Sequence, residues 1–178
     1  MSTKTSWVID PTHSEIQFKV KHLVISTVTG SFKTFEGTAE TDGDDLTTAN
    51  IQFSADIASI DTNQTQRDEH LQSADFFDAA NYPKLSFTST GLEKTGEDTY
   101  KLKGDLTIKG VTNSVVLDAE YGGAMTDFYG QSKAGFEING KISRKEFGLT
   151  WSATTEAGGV VVGDEIKLIA NIQLIKQA

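Results

Sequence analysis

The sequence predicts an all-β fold, an eight-stranded antiparallel barrel with a short helical insert near residues 62–80. Apolar and polar residues alternate along most of the chain, which is the period of a half-buried strand and not that of a helix. Turn clusters separate the alternating segments, as at Asp42-Gly43-Asp44 and Gly122-Gly123. Regular short strands with such turns indicate a sandwich or a barrel, and eight strands close into a barrel that side chains can fill or that can hold one small ligand.

Eight segments show this alternation. The clearest has Tyr100, Leu102, Gly104, Leu106 and Ile108 on one face and only polar residues on the other. The predicted strands cover residues 16–22, 32–40, 51–57, 85–92, 100–108, 115–121, 132–143 and 165–175. We expect one face of each strand to border a shared interior.

The helical insert replaces the alternation between Asp61 and Tyr82. Residues 64–71 favour helix, Ser73 could cap a second short turn, and Pro83 ends any helix before the next strand. An insert between two barrel strands is well placed to close one end of the barrel.

Length, charge and composition limit the classes of function. A chain of 178 residues is expected to form one domain. The net charge of −9 disfavours nucleic acid and anionic lipid surfaces, because binding to either requires clustered Lys and Arg. Without Cys there is no disulfide, no thiolate nucleophile and no Cys-based metal site. No apolar run approaches a signal peptide or a membrane span. We therefore expect no integral membrane segment and a cytoplasmic location, or a periplasmic one if a leader has been removed.

The predicted inward faces combine large aromatic side chains with small residues. Gly104 and Gly140 lie between aliphatic residues, and Ala55 lies between Phe53 and Ile57. Glycine inside a strand often marks a place where another molecule approaches the backbone. The aromatic residues fit either a packed core or an apolar channel. A channel would bind a long hydrocarbon, because each buried methylene contributes about 0.8 kcal/mol.

Five groups of segments along nearly the whole chain carry a further pattern. They are Trp7-Val-Ile-Asp-Pro-Thr-His-Ser14 with 16–23 and 28–32; 60–62 with 67–71, 75–78, 82–83 and 87–89; 104–112; Arg144-Lys-Glu-Phe-Gly148; and 162–165. Together they resemble the YceI-like family of polyisoprenoid-binding proteins. The resemblance implies an extended lipocalin-like antiparallel barrel that binds amphiphiles with a long chain, such as polyprenyl lipids or isoprenoid quinones. Members of the family are often periplasmic.

Four polar residues are candidates for contact with a ligand head group: His22, Arg67, Asp68 and His70. Arg67 and His70 share a face of the predicted helix, and Arg67 could donate to a phosphate or quinone oxygen at the barrel mouth. Alternatively, Arg67 and Asp68 bond to loop backbone and hold the helix in place. His22 ends an inward face, where a lone histidine is more often a core or rim residue than a ligand or a base. The three histidines lack the spacing of a metal site.

We expect a protein that binds, stores or transports a long-chain isoprenoid lipid, with no catalytic residue, no catalytic cofactor and no metal. The alternative is an enzyme acting on a lipid or amide in the same cavity, for which only His22, His70 and nearby carboxylates are available. A barrel filled by its own side chains and used only for protein interaction is a third hypothesis.

The expected partners are the isoprenoid lipid or another long-chain amphiphile and a second copy of the chain in a homodimer, and not nucleic acid. The predicted tail contacts are Phe18, Val20, Phe32, Phe53, Ile57, Phe76, Phe87, Leu106, Ile108, Phe136, Ile142, Phe147 and Trp151.

Overall fold

The computed structural model describes residues 4–22, 26–43, 45–149 and 162–177. These residues form a set of antiparallel strands, one α-helix, α1 (Thr65–Gln72), and two short 3-10 turns, Ile57–Ser59 and Arg144–Phe147. The strands are β1 (Lys4–Ile9), β2 (Glu15–His22), β3 (Ser26–Phe32), β4 (Phe35–Asp42), β5 (Asp45–Asp56), β6 (Ile60–Asp61), β7 (Lys84–Lys94), β8 (Thr99–Ile108), β9 (Val111–Thr126), β10 (Ser132–Ser143) and β11 (Val162–Lys176).

The strands form a closed antiparallel barrel with eight wall strands in the described part of the chain. Three of the wall strands are interrupted, so that each consists of two consecutive strands. These pairs are β1 and β2, β3 and β4, and β5 and β6. Both β1 and β2 pair with the same edge of β11, through Trp7–Lys176 and Glu15–Asn171. From β5 the order continues through β7, β8, β9 and β10 to β11, which closes the barrel. The predicted eight-stranded barrel with a short helix is confirmed.

The strand bounds differ from the prediction in places. The predicted strand over residues 32–40 corresponds to β4 and omits β3, which pairs with β2. The prediction omits β1, although Thr5, Trp7 and Ile9 alternate inward along it. The insert near residues 62–80 contains only the eight-residue α1, followed by turns. Ser73 ends this helix, because its hydroxyl donates to the carbonyl of His70 at 2.5 Å and its own backbone is extended.

The two ends of the barrel carry different connections. One end, here called the helix end, carries α1, the β8–β9 turn and the 3-10 turn after β10. The β8–β9 turn is tight, because Lys109 and Gly110 both adopt positive φ, 53° and 76°. The other end, here called the hairpin end, carries the β4–β5, β7–β8 and β9–β10 connections. The alternating direction of the strands therefore separates α1 from these three connections.

A packed hydrophobic core fills the helix end. Ile57 and Phe147 are each 1% exposed and belong to one cluster with Ile60, Ile108 and Leu149. Burial of this kind supplies the main free energy of folding, at about 25 cal/mol per Å² of apolar surface. Buried side chains continue along the wall toward the hairpin end, but they do not fill the whole barrel axis.

Candidate functional site

A cavity of about 870 Å³ occupies the barrel interior. It extends from Ile108 and Ile142 near the helix end to Lys94 and Asp98 at the hairpin end. All eight wall strands contribute aromatic or aliphatic side chains to its lining. The volume lies within the range of about 300–1,000 Å³ that is usual for small-molecule sites.

Glycine residues in the wall keep the axis of the barrel open. A Cβ atom at Gly104 would overlap the ring of Phe87, and one at Gly140 would overlap the side chain of Leu117. These two large side chains therefore lie across the backbone of a neighbouring strand, where a side chain larger than hydrogen does not fit. They cover the wall instead of crossing the interior, which leaves room for another molecule.

Several side chains that face the cavity are not fully buried. Phe18, Phe53, Phe136 and Leu168 line the cavity and are only half-buried. In a solid core such side chains would be surrounded by other atoms at crystal-like density. Their exposed surface borders the cavity, so the interior is an apolar channel and not a filled core.

The predicted tail residues fall into two groups among the described side chains. Eight line the cavity: Phe18, Phe32, Phe53, Phe87, Leu106, Ile108, Phe136 and Ile142. Ile57, Phe76 and Phe147 do not line it, because they are buried at the helix end by other side chains. Val20 is half-buried on β2 and also lies outside the lining. Trp151 lies outside the described residues.

Arg67 and Asp68 bond to the segment that precedes α1. Arg67 donates from Nε to Thr62 Oγ1 at 2.8 Å and from Nη2 to the Thr62 carbonyl at 2.6 Å. Asp68 Oδ1 accepts from the Thr62 backbone N–H at 2.9 Å and from its hydroxyl at 2.5 Å. Neither residue lines the cavity. These side chains attach α1 to the segment before it, as the alternative interpretation expects, and their contact with a ligand head group stays a prediction.

The histidines lie away from the cavity wherever their side chains are described. His70 Nε2 is 2.9 Å from Asp75 Oδ2, and its ring meets the edge of Phe76 at 5.1 Å between centroids. His70 does not line the cavity, and its contact with a ligand head group stays a prediction. His13 Nδ1 contacts Asp10 Oδ2 at 2.8 Å in the bend after β1. The side chain of His22 lies outside the described part of the structure.

The charged residues of the lining all lie at the hairpin end. Asp45 and Thr47 approach the cavity from the start of β5, and Lys94, Glu97 and Asp98 approach it from the β7–β8 hairpin. In the sequence these residues mark only turns, and alternation gives no signal that two hairpins distant in sequence meet at one rim. The charged lining residues therefore lie at the end of the barrel opposite α1.

Two tyrosines lie just inside this rim. Tyr100 on β8 and Tyr121 on β9 line the cavity, and the Tyr121 ring packs on Phe136 with 5.2 Å between centroids. Among the described residues, neither hydroxyl has a hydrogen-bond partner, and neither is a fully buried polar atom. Tyrosine has an apolar ring and a polar tip, so it suits the boundary between a lipid tail and its head group. The predicted strands contained both residues, but a periodic pattern does not distinguish a tyrosine from other inward aromatics.

The wall has a gap at the same end. Ladder pairs join β5 to β7 from Asp56–Lys84 to Gln52–Thr88. From there toward the hairpin end, β5 and β7 share no ladder pair in the described residues. The Ile51 backbone N–H donates instead to Ser89 Oγ at 2.7 Å. Both separated segments line the cavity, so this gap is a candidate entrance.

The described residues hold neither a metal-binding cluster nor a membrane-spanning helix. They contain no group of three or more His, Asp or Glu side chains placed to hold a metal ion. Within the same ranges, no helix has both the length and the apolar character needed to cross a bilayer.

Comparison with known proteins gives one consistent family. The YceI-like domain model matches residues 7–174. The protein YceI of Escherichia coli O6:H1 is 38% identical over 165 residues, which cover 93% of this chain and 83% of that protein.

Solved structures give the same result at the level of fold. The crystal structure of the Campylobacter jejuni YCEI protein has 37% identity and a TM-score of 0.77, and the match covers 89% of this chain and 90% of that one. A polyisoprenoid binding domain from Saccharophagus degradans, implicated in plant cell wall breakdown, has 15% identity and a TM-score of 0.69, with 96% and 98% coverage. At 15% identity this second likeness concerns the fold alone.

Proposed function

Because the chain belongs to the YceI-like domain family, we propose that it binds a long-chain isoprenoid lipid, a polyprenyl lipid or an isoprenoid quinone, in the barrel interior and stores or transports it. The observation that carries this proposal is the cavity of about 870 Å³ with a mainly aliphatic and aromatic lining. The structural neighbour described as a polyisoprenoid binding domain has the same fold and supports the choice of ligand class.

The apolar lining is sufficient to supply the affinity. Ten buried methylene groups would contribute about 8 kcal/mol, which corresponds to roughly micromolar binding before the cost of association is subtracted. Such a contribution depends on buried length and not on directional contacts. A flexible isoprenoid tail therefore suits this cavity better than a compact polar ligand.

The position of the polar lining suggests one orientation for the lipid. The tail would extend past Leu106 toward Ile108 and Ile142, and the head group would lie beside Tyr100 and Lys94 at the hairpin end. In this orientation the polar atoms of the ligand reach polar side chains and solvent, which avoids burying them without partners.

The lining favours binding over catalysis. Catalysis requires an activated nucleophile or a matched acid and base within reach of the bound molecule. The described lining residues include no histidine and no serine, and their carboxylates lie at the rim. We therefore propose a carrier and not an enzyme.

Mass spectrometry of organic extracts from purified protein, together with a titration of added isoprenoid quinone, tests the proposal. Trp7 lines the cavity, so its fluorescence reports quinone entry. Leu102→Trp places a large ring inside the barrel and should abolish uptake, whereas Lys103→Trp on the outer face of the same strand should retain it. Because both variants add a tryptophan, their uptake is measured by mass spectrometry of the extracts and not by fluorescence. Absence of any co-purifying lipid and of quinone uptake by the unmodified protein would contradict the proposal.

A further inference from the structure

The β9–β10 hairpin projects beyond its neighbour at the hairpin end. Thr99, the first residue of β8, pairs with Glu120, so residues 121–126 of β9 extend past the end of β8. These residues pair with β10 as far as Thr126–Ser132, and β10 is supported on its other edge by β11. The tip of this hairpin therefore lies at the end where the polar part of the cavity lining is found.

Three large apolar side chains are exposed at this tip. Phe128 and Tyr129 have 106% and 89% of their full exposure, and Met125 has 65%. A single exposed apolar residue is normal for a protein surface, but three within five positions of one turn form a patch. We call Met125, Phe128 and Tyr129 the aromatic tip.

The turn holds the aromatic tip in a fixed conformation. Asp127 Oδ1 accepts hydrogen bonds from the backbone N–H groups of Tyr129 and Gln131, each at 2.9 Å, and Gly130 adopts a positive φ of 78°. Asp127 Oδ2 lies 3.6 Å from Lys133 Nζ. The carboxylate of Asp127 is thus bonded inward, and the two aromatic rings are exposed to solvent.

The shape and charge of the tip indicate what it contacts. A stable protein interface needs about 800 Å² on each partner, and a convex tip of three side chains on a narrow ribbon offers far less. Aromatic side chains insert favourably at the boundary between water and the hydrocarbon of a bilayer, which adapts to a convex surface. The net charge of −9 and the rim residues Asp45, Glu97 and Asp98 disfavour anionic lipid.

We infer that the aromatic tip inserts into a bilayer surface of zwitterionic lipid and brings the polar end of the cavity against the membrane. This inference rests on the proposed function, because a carrier of a water-insoluble lipid must exchange it with a bilayer. The hairpin then acts as the contact, and the gap between β5 and β7 lies at the same end for passage of the lipid.

Flotation with phosphatidylcholine vesicles tests the inference without any quinone present. The F128S/Y129S double variant should show a partition coefficient lower by about tenfold or more, because burying even half of two aromatic side chains accounts for that factor. The matched control is Val116→Ser, which removes an exposed apolar side chain from the same strand nearer the helix end. The control should partition as the unmodified protein does.

Two further measurements separate this inference from the proposed function. Transfer of an isoprenoid quinone between vesicles should slow in F128S/Y129S, while uptake of quinone added from ethanol without vesicles should be unchanged. Equal vesicle partitioning of the double variant and the unmodified protein would overturn the inference. If the double variant changed its oligomeric state and partitioned as the unmodified protein does, the inference would also be overturned. The aromatic tip would then be a contact between copies of the chain. Failure of the unmodified protein to take up quinone from ethanol would contradict the proposed function alone.

Discussion

Lys133 Nζ lies 3.1 Å from Asp10 Oδ2, a contact that joins strand β10 to the bend between β1 and β2. Thr12 and His13 also contact the same carboxylate. Burial raises the pKa of Asp10, but hydrogen bonds from His13, Thr12 and Lys133 outweigh burial and hold the pKa well below its usual range. Lys133 lies 3.6 Å from Asp127 as well, so one ammonium group links the bend, β10 and the base of the aromatic tip.

Lys133→Met should lower the Tm by several degrees at neutral pH, because Asp10 loses its cation in a largely buried position. The folded pKa of Asp10 lies below the ordinary value of 3.8, so the charged carboxylate stabilises the fold above that value and loses its contribution as the pH falls. The Tm difference between the variant and the unmodified protein should therefore narrow below about pH 4. Thermal unfolding followed by circular dichroism measures it. The control is Lys141→Met. Lys141 lies on β10 as Lys133 does, and its ion pair with Glu165 of β11 is exposed. A difference that stays constant down to pH 2 would contradict the prediction.

Gly140→Ala should reduce quinone affinity more than it reduces stability. The new Cβ overlaps Leu117 Cδ2, the far end of a flexible side chain, which can rotate into the cavity. Overpacking of this kind costs about 1–3 kcal/mol, and here part of the cost appears as lost ligand volume. Quinone titration and thermal unfolding measure the two effects. Gly135→Ala on the same strand meets no atom within 4 Å and should leave affinity unchanged. Equal affinities for the two variants would show that Leu117 does not limit the cavity.

Arg67→Ala should destabilise the helix end and leave quinone affinity unchanged. The substitution removes two hydrogen bonds to Thr62, which is buried, at a cost of about 1–3 kcal/mol. Amide hydrogen exchange should show lower protection of α1 with little change in the hairpins. Arg67→Lys cannot restore the planar two-point contact and should recover only part of the stability. A large loss of quinone affinity at unchanged stability would instead restore Arg67 as a head-group contact.

Replacing both Tyr100 and Tyr121 by Phe should weaken binding of an isoprenoid quinone and not of squalene, which has the same tail chemistry but no polar head. Each lost hydrogen bond is expected to cost about 1 kcal/mol, or roughly fivefold in Kd. Competition titration with both ligands makes the comparison. The double variant keeps both rings, so the apolar lining is preserved. A parallel loss for both ligands would show that the hydroxyl groups do not contact the head group.

Most of the fold could be predicted from alternation alone, because each wall strand has one face toward the interior and one toward solvent. Residues 100–108 illustrate this, since every inward position of β8 is buried and the outward positions are polar. β1 was missed because it is short and because Thr5 and a bend at residues 10–14 interrupt the pattern that continues in β2. The helix propensity of the residues near Arg67 predicted a helix but not its length. The helix ends at Ser73, whose hydroxyl donates to the backbone carbonyl of His70.

The candidate site was less predictable, because it depends on which connections share an end of the barrel. The aromatic positions of the cavity could be predicted from strand faces, as Phe87 and Phe136 show, and their contact with ligand stays a prediction. The polar rim could not, since Asp45 and Asp98 come together only through the closed order of the strands. Arg67 was a reasonable candidate by chemistry, but two of its donors bond to Thr62, five positions away, and it does not line the cavity.

The barrel closes only when β11, the last strand of the chain, pairs with its neighbours on both sides. This strand pairs with β10 on one side and with both β1 and β2 on the other, and Ser14 accepts a hydrogen bond from the Gln173 backbone across 159 positions of sequence. Contacts so distant in sequence form slowly, because the entropy of loop closure must be overcome first. Until β11 is synthesised, β10 and β2 present unpaired edges to the surroundings. The nascent chain is therefore most prone to aggregation just before its last wall strand docks, and the cavity is enclosed only afterwards.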